Sequence, residues 1–429
     1  MKHALAILLS ITLMISANAQ TKSVKSTPLL SEASPQSAGM SEERLAAIDK
    51  MLTQSIEKNQ IPGAVALVAR NGKIVYYKAF GMAENEAKRN LKRDDIFRIA
   101  SQTKAITATA VMILWEEGKF RLDDPISKYI PEFKNAQILD SLKEVDTTYT
   151  TIPAKGEITI RHLLTHTSGI GYGFIDNNEF RKIYHKAGII DAFTLTPVTI
   201  EENIKKLAKL PLHHNPGEQF TYSEGLDVLG YLIEILSGKP LDVFFQERIF
   251  EPLGMNDTYF YLPDSKKFRL VPVQTFRGDK WIRYTNAYYD PDYPIKGSKT
   301  FFSGGAGLSS TAKDYAAFLQ MYLNNGELNG VRLLSRTTVQ VIMANQIGDL
   351  LGDSGADYGL AFGVINQEGQ NMGGRGSIGT FNWGGYFNTQ YFADPKENII
   401  GILMKQTVDV KGDETGWKFG QLVGQAIDD

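Results

Sequence analysis

The amino-acid sequence predicts a mixed α and β fold, in which one sheet domain is interrupted by a helical insertion. Strand-like apolar runs bounded by turn residues occur near both ends of the chain, at 63–81 and 383–405, whereas helical patterns dominate the middle. Strands at both ends with helices between them favour one sheet assembled from two distant segments. We therefore expect a sheet domain from 41–94 and 300–429, and a helical domain from 95–299.

The N-terminus has the features of an export signal in the usual order. Lys2 and His3 make a basic start, residues 4–15 form an apolar run, and residues 16–19 supply the small side chains of a cleavage site. The apolar run is too short to span a bilayer, so we expect no stable membrane insertion. A signal peptide over 1–19, cleaved after Ala19, predicts a periplasmic or secreted protein. An ordinary buried N-terminal helix is the alternative interpretation.

Composition and charge exclude several classes of function. The chain has 46 lysines and arginines against 48 aspartates and glutamates, which gives no electrostatic reason to bind nucleic acid. It has no cysteine, so disulfides, thiolate metal sites and cysteine nucleophiles are excluded. The histidines show no metal-site spacing, with only His213 and His214 adjacent, and we expect neither a metal nor a cofactor. An exported protein without disulfides fits a bacterial cell envelope.

The first elements follow from capping and turn residues. Residues 20–40 are rich in serine, proline and alanine and predict a flexible lead-in. Ser41 is a suitable N-cap for a helix through about Lys58, with acidic residues in its first turn. Asn71 and Gly72 between two apolar runs predict the turn of a β-hairpin.

The remaining elements follow from periodicity. Helical patterns are found at 101–117, 158–165, 199–208, 224–237, 240–248 and 415–427. A long loop containing threonine, proline and glycine is predicted at 136–157. A second hairpin is predicted from one strand at 383–393, a turn around Asp394, and a return strand at 398–405.

Ser101 and Lys104 lie at the start of a predicted helix whose side chains are apolar or small on every face. Lys104 is the only charged side chain between Ser101 and Trp115. Residues three apart share a helical face, so the amine can reach the serine hydroxyl, and burial disfavours the charged amine. Amide groups at the helix N-terminus would favour negative charge developing at Ser101. The two residues are a candidate nucleophile and base. The alternative is an N-cap serine followed by a lysine that extends to solvent.

Two further segments follow in an order that resembles a known enzyme group. One contains Tyr222, within 216–223, and the other contains Trp383, within 381–389. Together with Ser101 and Lys104 they resemble the penicillin-recognising serine hydrolases. The chain is most similar to the class C β-lactamase-like esterases known as family VIII carboxylesterases, over roughly the whole of the predicted mature chain. Similar segments are also found at 163–169 and 304–311.

The resemblance implies a fold and a set of roles. The implied fold is that of β-lactamases and transpeptidases: an antiparallel sheet flanked by terminal helices, plus an all-helical domain, with the active site between them. It implies that Ser101 is acylated and that Lys104 and Tyr222 share its proton transfer. The backbone amides of Ser101 and Tyr386 would form the oxyanion hole. The residues assigned to substrate binding are Trp383, Gly384, Gly385 and Glu224.

The sequence departs from the family pattern at two positions. Trp383 stands where β-lactamases and transpeptidases carry a lysine or histidine that helps to bind a substrate carboxylate, and Arg375 is a candidate replacement for that cation. Glu224 stands where class C enzymes carry an asparagine. An inward Glu224 would hold Lys104 protonated and favour Tyr222 as base, whereas an outward Glu224 would have no role; we expect the outward orientation.

These features predict an exported serine hydrolase that acts on carboxylic esters or small acyl and amide substrates. A β-lactamase or a DD-peptidase is the nearest alternative, and a non-catalytic cell-wall or partner-binding protein is an alternative of another class. His166 is expected to brace the end of a helix. Residues 352–356 partly resemble a serine-protease segment around Ser354, but the glycines there predict a surface loop. The natural substrate and the oligomeric state are left open by the sequence.

Overall fold

A computed structural model describes residues 21–374 and 376–429. Within that part of the chain the strands are β1 (Thr21–Lys22), β2 (Ser31–Glu32), β3 (Gly63–Arg70), β4 (Lys73–Glu84), β5 (Arg89–Asn90), β6 (Phe97–Arg98), β7 (Gln137–Lys143), β8 (Thr148–Pro153), β9 (Gln274–Arg277), β10 (Lys280–Arg283), β11 (Ser309–Ser310), β12 (Glu327–Leu328), β13 (Val331–Arg332), β14 (Ala356–Tyr358), β15 (Gly363–Ile365), β16 (Phe381–Gly385), β17 (Thr389–Asp394) and β18 (Ile399–Met404). The α-helices are α1 (Glu42–Glu57), α2 (Thr103–Glu116), α3 (Ile160–Leu164), α4 (Asn178–Ala187), α5 (Ile200–Leu207), α6 (Gly225–Ser237), α7 (Leu241–Phe245), α8 (Glu251–Leu253), α9 (Tyr293–Lys296), α10 (Ala312–Leu323), α11 (Arg336–Met343), α12 (Gln367–Met372) and α13 (Thr415–Gln425).

One large sheet organises these elements. Its strand order is β14-β15-β16-β17-β18-β3-β4-β2, and β5 also pairs with β4. The neighbours are antiparallel except that β2 runs parallel to β4. In register, Leu67 of β3 lies opposite Ile402 of β18, so the two ends of the chain meet at the centre of the sheet. The predicted mixed fold, with a sheet built from distant segments, is confirmed.

Strand β3 is buried along its whole length because helices cover both faces of the sheet. Val65 and Leu67 pack into a core that includes residues of α2 and α10. Ala66 and Val68 point to the opposite face and pack with residues of α1 and α13. The alternation of side chains along one apolar strand therefore supplies two separate cores.

The first and last helices, α1 and α13, cover one face of the main sheet. Ser41 caps α1, its side chain accepting a hydrogen bond from the amide of Arg44. The amide of Ser41 also donates to the carbonyl of Ala426 at 2.8 Å, just beyond α13. The cap predicted from the sequence thus also joins the start of the sheet domain to its end.

Three segments differ from the sequence predictions. The expected flexible lead-in contains β2, at the edge of the main sheet, and β1, which pairs with β13. The expected loop at 136–157 is the β7–β8 hairpin. The expected single strand at 383–393 is two strands, β16 and β17, because the chain turns at 386–388, where Asn388 has a φ of 70°.

Some predictions fall outside the described residues. The signal peptide over 1–19 and the side chain of Arg375 belong to this group. The boundaries of the two domains stay a prediction, although the strands of the main sheet lie within 31–90 and 356–404. In the described residues, no helix combines the length and the apolar character that a membrane crossing requires.

Candidate active site

Ser101 lies on a single 3-10 turn, Ala100–Gln102, that leads directly into α2. Ala100 adopts a φ of 41°, in the left-handed region that residues with a Cβ avoid. The preceding backbone is held along one neighbouring segment, since β6 pairs with β11 and the amide of Ile99 donates to the carbonyl of Leu308. Backbone strain of this kind persists only where the surroundings impose it, and it often marks a functional position.

Lys104 places its amine beside the Ser101 hydroxyl. The Nζ atom is 3.4 Å from Ser101 Oγ and donates a hydrogen bond of 2.8 Å to the carbonyl oxygen of Gly305. The lysine is 1% exposed, whereas Ser101 is partly open to solvent. A distance of 3.4 Å is long for a hydrogen bond, as is common in catalytic pairs without substrate. The structure brings together the two residues that the helical spacing predicted.

Two tyrosine rings enclose the amine of Lys104. Its Nζ lies 4.6 Å from the ring centroid of Tyr222 and 5.1 Å from that of Tyr172. The two rings stack on each other at 5.7 Å with an angle of 5°. Trp383 also stacks on Tyr222, and its indole N–H lies 3.4 Å from the Tyr222 hydroxyl. Serine, lysine, tyrosine and tryptophan from three distant segments therefore form one cluster.

Asp227 is a member of this site to which the sequence analysis assigned no role. It is 1% exposed, in the first turn of α6, and accepts a hydrogen bond of 3.2 Å from the amide of Gly305. Burial raises the pKa of Asp227, while hydrogen bonds from Ser303 and Gly305 and the charge of Lys104 oppose that rise. The sequence could have pointed to Asp227 through its position in the first turn of the helix that follows Tyr222.

Glu224 has an orientation other than the one expected. It is 1% exposed rather than turned to solvent, and the carboxyl group of Asp191 lies near its own. Burial and the nearby Asp191 raise the pKa of Glu224 well above its usual value, so the neutral acid is favoured. The inward alternative, in which a negative Glu224 keeps Lys104 protonated, therefore does not apply. Its burial also argues against direct contact with substrate.

The third motif lies on β16, against the turn that carries Ser101. A Cβ atom on Gly385 would overlap the carbonyl oxygen of Ile99 and the hydroxyl of Thr389. Gly384 is exposed, and a Cβ there would meet only the Thr389 carbonyl, at 3.3 Å. Glycine at 385 thus lets the strand approach the nucleophile's backbone closely.

The two amides assigned to the oxyanion hole are available for a ligand. Among the hydrogen bonds of the described residues, none has the backbone N–H of Ser101 or of Tyr386 as donor. The Tyr386 side chain is 40% exposed, at the edge of the site. Free amide donors beside a nucleophile suit a developing oxyanion.

His166 packs against the segment that carries Tyr222, whereas the sequence analysis expected it to brace the end of a helix. Its Nδ1 accepts a hydrogen bond of 3.1 Å from the amide of Ser223, and its ring lies 4.4 Å from that of Tyr222. Burial lowers the pKa of His166 well below its usual value, so the imidazole is neutral. His166 therefore orients the segment without adding charge.

An aromatic wall borders the site beside Tyr386. Phe174 contacts Tyr386 edge-on at 5.4 Å, and Tyr289 contacts both rings, at 5.8 Å and 6.3 Å. Tyr184 is buried, and its hydroxyl accepts a hydrogen bond from the amide of Gly171. Among the described residues, no group of three or more histidine, cysteine, aspartate or glutamate side chains is arranged to hold a metal ion.

Comparisons with known proteins identify the family of this chain. The profile of the beta-lactamase family matches residues 48–425. Esterase EstB from Burkholderia gladioli is 30% identical over 383 residues, which are 84% of this chain and 90% of that protein. An Escherichia coli protein named for D-alanyl-D-alanine carboxypeptidase activity is 28% identical over 88% of this chain and 85% of its own. The solved structure of EstCE1, a hydrolase with promiscuous acyltransferase activity, superimposes with a TM-score of 0.76 at 26% identity, covering 90% of this chain and 99% of that one.

Proposed function

This chain belongs to the beta-lactamase family and is a serine hydrolase, and from that premise we propose that it is exported and cleaves carboxylic esters through an acyl-enzyme on Ser101. The observation that carries the proposal is the position of the buried Lys104 amine, 3.4 Å from the Ser101 hydroxyl and 4.6 Å from the ring of Tyr222. A small-molecule ester or amide is the class of substrate that the family relationship suggests.

In the proposed reaction, Lys104 and Tyr222 accept the Ser101 proton as the hydroxyl attacks the ester carbonyl. The tetrahedral oxyanion receives hydrogen bonds from the amides of Ser101 and Tyr386. Collapse of this intermediate breaks the bond to the alcohol, which leaves with the transferred proton. Water, activated by Tyr222, then attacks the acyl-enzyme and releases the carboxylic acid.

The surroundings of Trp383 favour an ester over a β-lactam. Its indole stacks on Tyr222 at the position where a cation would bind a substrate carboxylate. Losing one such charged hydrogen bond costs about 1.5–3 kcal/mol, or roughly ten- to a hundred-fold in binding. The names of EstB and EstCE1 agree with this preference. Cleavage of β-lactams is then a weak side activity.

A substrate panel tests the proposal directly. Purified protein would be assayed on short-chain nitrophenyl esters, a cephalosporin and a peptide ending in D-alanyl-D-alanine. We expect ester turnover to dominate. Efficient cephalosporin turnover with no ester cleavage would contradict it, and preferred cleavage of the peptide would favour the DD-peptidase alternative, which the Escherichia coli relative supports.

Labelling separates the enzyme from a non-catalytic binding protein. The protein would be treated with a fluorophosphonate, digested, and analysed by mass spectrometry for an adduct on the peptide that contains Ser101. An adduct at Ser101 is expected. Absence of the adduct, under conditions that label EstB, would favour a cell-wall or partner-binding role.

Export is a separate part of the proposal. It rests on the basic start, the apolar run at 4–15 and the small residues at 16–19. Expression of the full chain in a bacterium, followed by fractionation and N-terminal sequencing, would test it. We expect the periplasmic or secreted protein to begin at Gln20; a cytoplasmic protein that retains residues 1–19 would disprove export.

A further inference from the structure

The turn between β16 and β17 carries the Tyr386 amide that is assigned to the oxyanion hole. The amide of Asn388 donates a hydrogen bond of 2.9 Å to the carbonyl of Gly385, which closes the turn. Asn388 has a φ of 70°, in the left-handed region that asparagine enters more readily than most residues with a side chain. Tyr386 is 40% exposed, so burial of its own ring does little to hold its backbone.

The side-chain amide of Asn388 ties this turn to the segment that follows β18. Its Nδ2 atom donates hydrogen bonds of 2.9 Å to the Thr407 hydroxyl and 2.9 Å to Asp413 Oδ2. The amide of Thr407 in turn donates to the carbonyl of Phe387 at 3.1 Å. These hydrogen bonds hold the residues directly after Tyr386 against another part of the chain.

Asp413 is itself held in place by a buried ion pair. The Nζ atom of Lys405 lies 2.6 Å from Asp413 Oδ2 and donates a hydrogen bond of 2.8 Å to the Thr415 hydroxyl. The side chain of Lys405 is 1% exposed and that of Asp413 is 9% exposed. The second carboxylate oxygen, Oδ1, accepts hydrogen bonds from the amide of Thr415 at 2.9 Å and from its hydroxyl at 2.6 Å. Because both oxygens are occupied, the carboxylate presents Oδ2 to Asn388 in one orientation.

A second anchor of the turn is apolar. Phe387 is fully buried, and the centre of its ring lies 5.2 Å from that of Phe193. Both rings belong to a core cluster that also includes Ala100, the residue before Ser101. The backbone around the Tyr386 amide is thus fixed by a polar network and by an apolar core, and the same core reaches the turn of the nucleophile.

We propose that Asn388 and Asp413 are positioning residues, which hold this turn so that the Tyr386 amide points at the oxyanion formed from the substrate carbonyl. The inference rests on the proposed serine-hydrolase reaction and names the part of the chain that sets its oxyanion hole. Such donors are effective because they are aligned before negative charge develops. Since both residues act through the backbone of Tyr386, their loss is expected to lower kcat and to leave KM little changed.

The substitution Asn388→Gly removes the side-chain hydrogen bonds and keeps the left-handed backbone, because glycine adopts a positive φ freely. It leaves the ion pair of Lys405 and Asp413 intact, so we expect the variant to fold. We expect kcat for a nitrophenyl ester to fall about ten- to a hundred-fold, less than the roughly 10²- to 10³-fold cost of losing an oxyanion donor outright.

Asn398→Gly is the matched control for this substitution. Asn398 also has a positive φ, of 49°, and lies in the turn between β17 and β18, at the other end of these strands. We expect its kcat to stay near the wild-type value. Equal kcat values in Asn388→Gly and the wild type, or a loss confined to KM, would overturn the proposal.

An inhibitor that mimics the oxyanion separates positioning from a general loss of structure. A boronic acid forms a bond between boron and Ser101 Oγ as the serine proton leaves, and one oxygen of the tetrahedral, negatively charged boron occupies the oxyanion hole. We expect its inhibition constant to rise in Asn388→Gly by about the factor by which kcat/KM falls, and to stay unchanged in Asn398→Gly. Unchanged inhibition in Asn388→Gly, alongside a reduced kcat, would contradict a role in the oxyanion hole.

Nuclear magnetic resonance follows the Tyr386 amide without any use of activity. In protein that contains isotope-labelled tyrosine, its signal is identified by its disappearance in Tyr386→Phe. Asp413→Asn is expected to move this signal, since a neutral amide cannot accept all the hydrogen bonds that the carboxylate accepts. Glu414→Gln is the control, because it removes a charge at the next residue, whose carboxylate binds Lys418 at the surface. An unmoved signal in Asp413→Asn would overturn the proposal.

A milder variant and the wild type complete the test. Thr407→Val removes only the second acceptor of the Asn388 amide, and it is expected to move the Tyr386 signal even if Asp413→Asn does not fold. If wild-type protein cleaves esters but the signal and kcat are unchanged in the variants, the positioning role is wrong and the proposed function stands. If the signal moves but wild-type protein cleaves no ester, the proposed function fails while the anchoring of the turn stands.

Discussion

The Lys104 amine donates a 2.8 Å hydrogen bond to the carbonyl oxygen of Gly305. The amide of the same glycine donates to Asp227, so one residue of the backbone joins the buried lysine to a buried carboxylate. A Cβ atom on Gly305 would overlap the Asp227 carboxylate. The buried lysine is therefore aligned by a backbone peptide group.

Replacement of Ser101 by alanine removes the proposed nucleophile. We expect ester turnover to fall by about 10³-fold or more, with little change in melting temperature. Ser354→Ala, in the protease-like segment 352–356, is the control and is expected to retain turnover. If Ser101→Ala kept full activity, or Ser354→Ala lost it, the assignment of the nucleophile would be wrong. The measurement is steady-state hydrolysis of a nitrophenyl ester.

Two tyrosines at similar distances from Lys104 allow a matched comparison. Tyr222→Phe keeps the ring stacked on Tyr172 but removes the hydroxyl that takes part in proton transfer. We expect kcat about 10²- to 10⁴-fold lower. Tyr172→Phe keeps the stack and leaves Tyr222 intact, so it is expected to retain most of kcat. Equal effects of the two substitutions would show that the phenol of Tyr222 has no special role.

Gly385 sets the distance between the oxyanion strand and the nucleophile. Gly385→Ala pushes β16 away from Ile99, since the added methyl group overlaps its carbonyl oxygen. We expect at least a ten-fold loss of kcat, because removal of one oxyanion donor alone costs roughly 10²- to 10³-fold. Gly384→Ala, whose methyl group meets only the Thr389 carbonyl, is expected to lose less. The opposite order of the two kcat values would count against the placement of the oxyanion hole.

Trp383 is expected to control the choice between esters and carboxylate-bearing substrates. Trp383→Lys introduces the cation that the related lactamases carry. We expect kcat/KM for a cephalosporin to rise about ten- to a hundred-fold and ester turnover to fall. Trp417→Lys, at a side chain 54% exposed on α13, is the control. An unchanged cephalosporin rate in Trp383→Lys would show that other residues determine the preference.

Asp314 predicts a pH dependence of stability. Burial raises the pKa of Asp314 from 3.8 to about 6, although it accepts hydrogen bonds from Asp257 and Thr258. Between these two pKa values the folded protein holds a proton that the unfolded chain has released. The free energy of unfolding therefore falls as pH rises through this range, by about 3 kcal/mol in total.

Denaturant unfolding at a series of pH values tests this dependence. Asparagine at position 314 has no carboxyl proton to bind or release. The part of the pH dependence of the free energy of unfolding that is due to this residue is therefore expected to disappear in Asp314→Asn. Asp279→Asn, in an exposed turn, should keep the wild-type slope. The same slope in Asp314→Asn and wild type would show that Asp314 does not titrate in this range.

The sequence predicted the parts of the site that are local in the chain. The resemblance to penicillin-recognising serine hydrolases is confirmed, and the predicted approach of Lys104 to Ser101 follows from their shared helical face. The catalytic roles stay predictions. Asp227 and Tyr172 received no specific role because their closeness to Lys104 is created by packing between segments distant in sequence. The same reason explains Glu224, which is buried near Asp191, a residue distant from it in sequence.

The fold was predictable where the apolar pattern was strong. Strands β3 and β4 were recognised because Asn71 and Gly72 separate two apolar runs. The β7–β8 hairpin was missed because β8 is exposed along its whole length and so lacks an alternation of apolar residues. The turn at 386–388 was missed because aromatic residues occupy it, and Tyr386 and Phe387 are typical of a strand.

The pairing of β3 with β18 has a consequence for biosynthesis. Leu67 meets its neighbour Ile402 only after nearly the entire polypeptide has left the ribosome. The middle of the sheet therefore stays open throughout translation, and contacts between such remote segments form slowly. The central strands can therefore pair only after the C-terminal segment has been synthesised, so this part of the sheet forms late in folding.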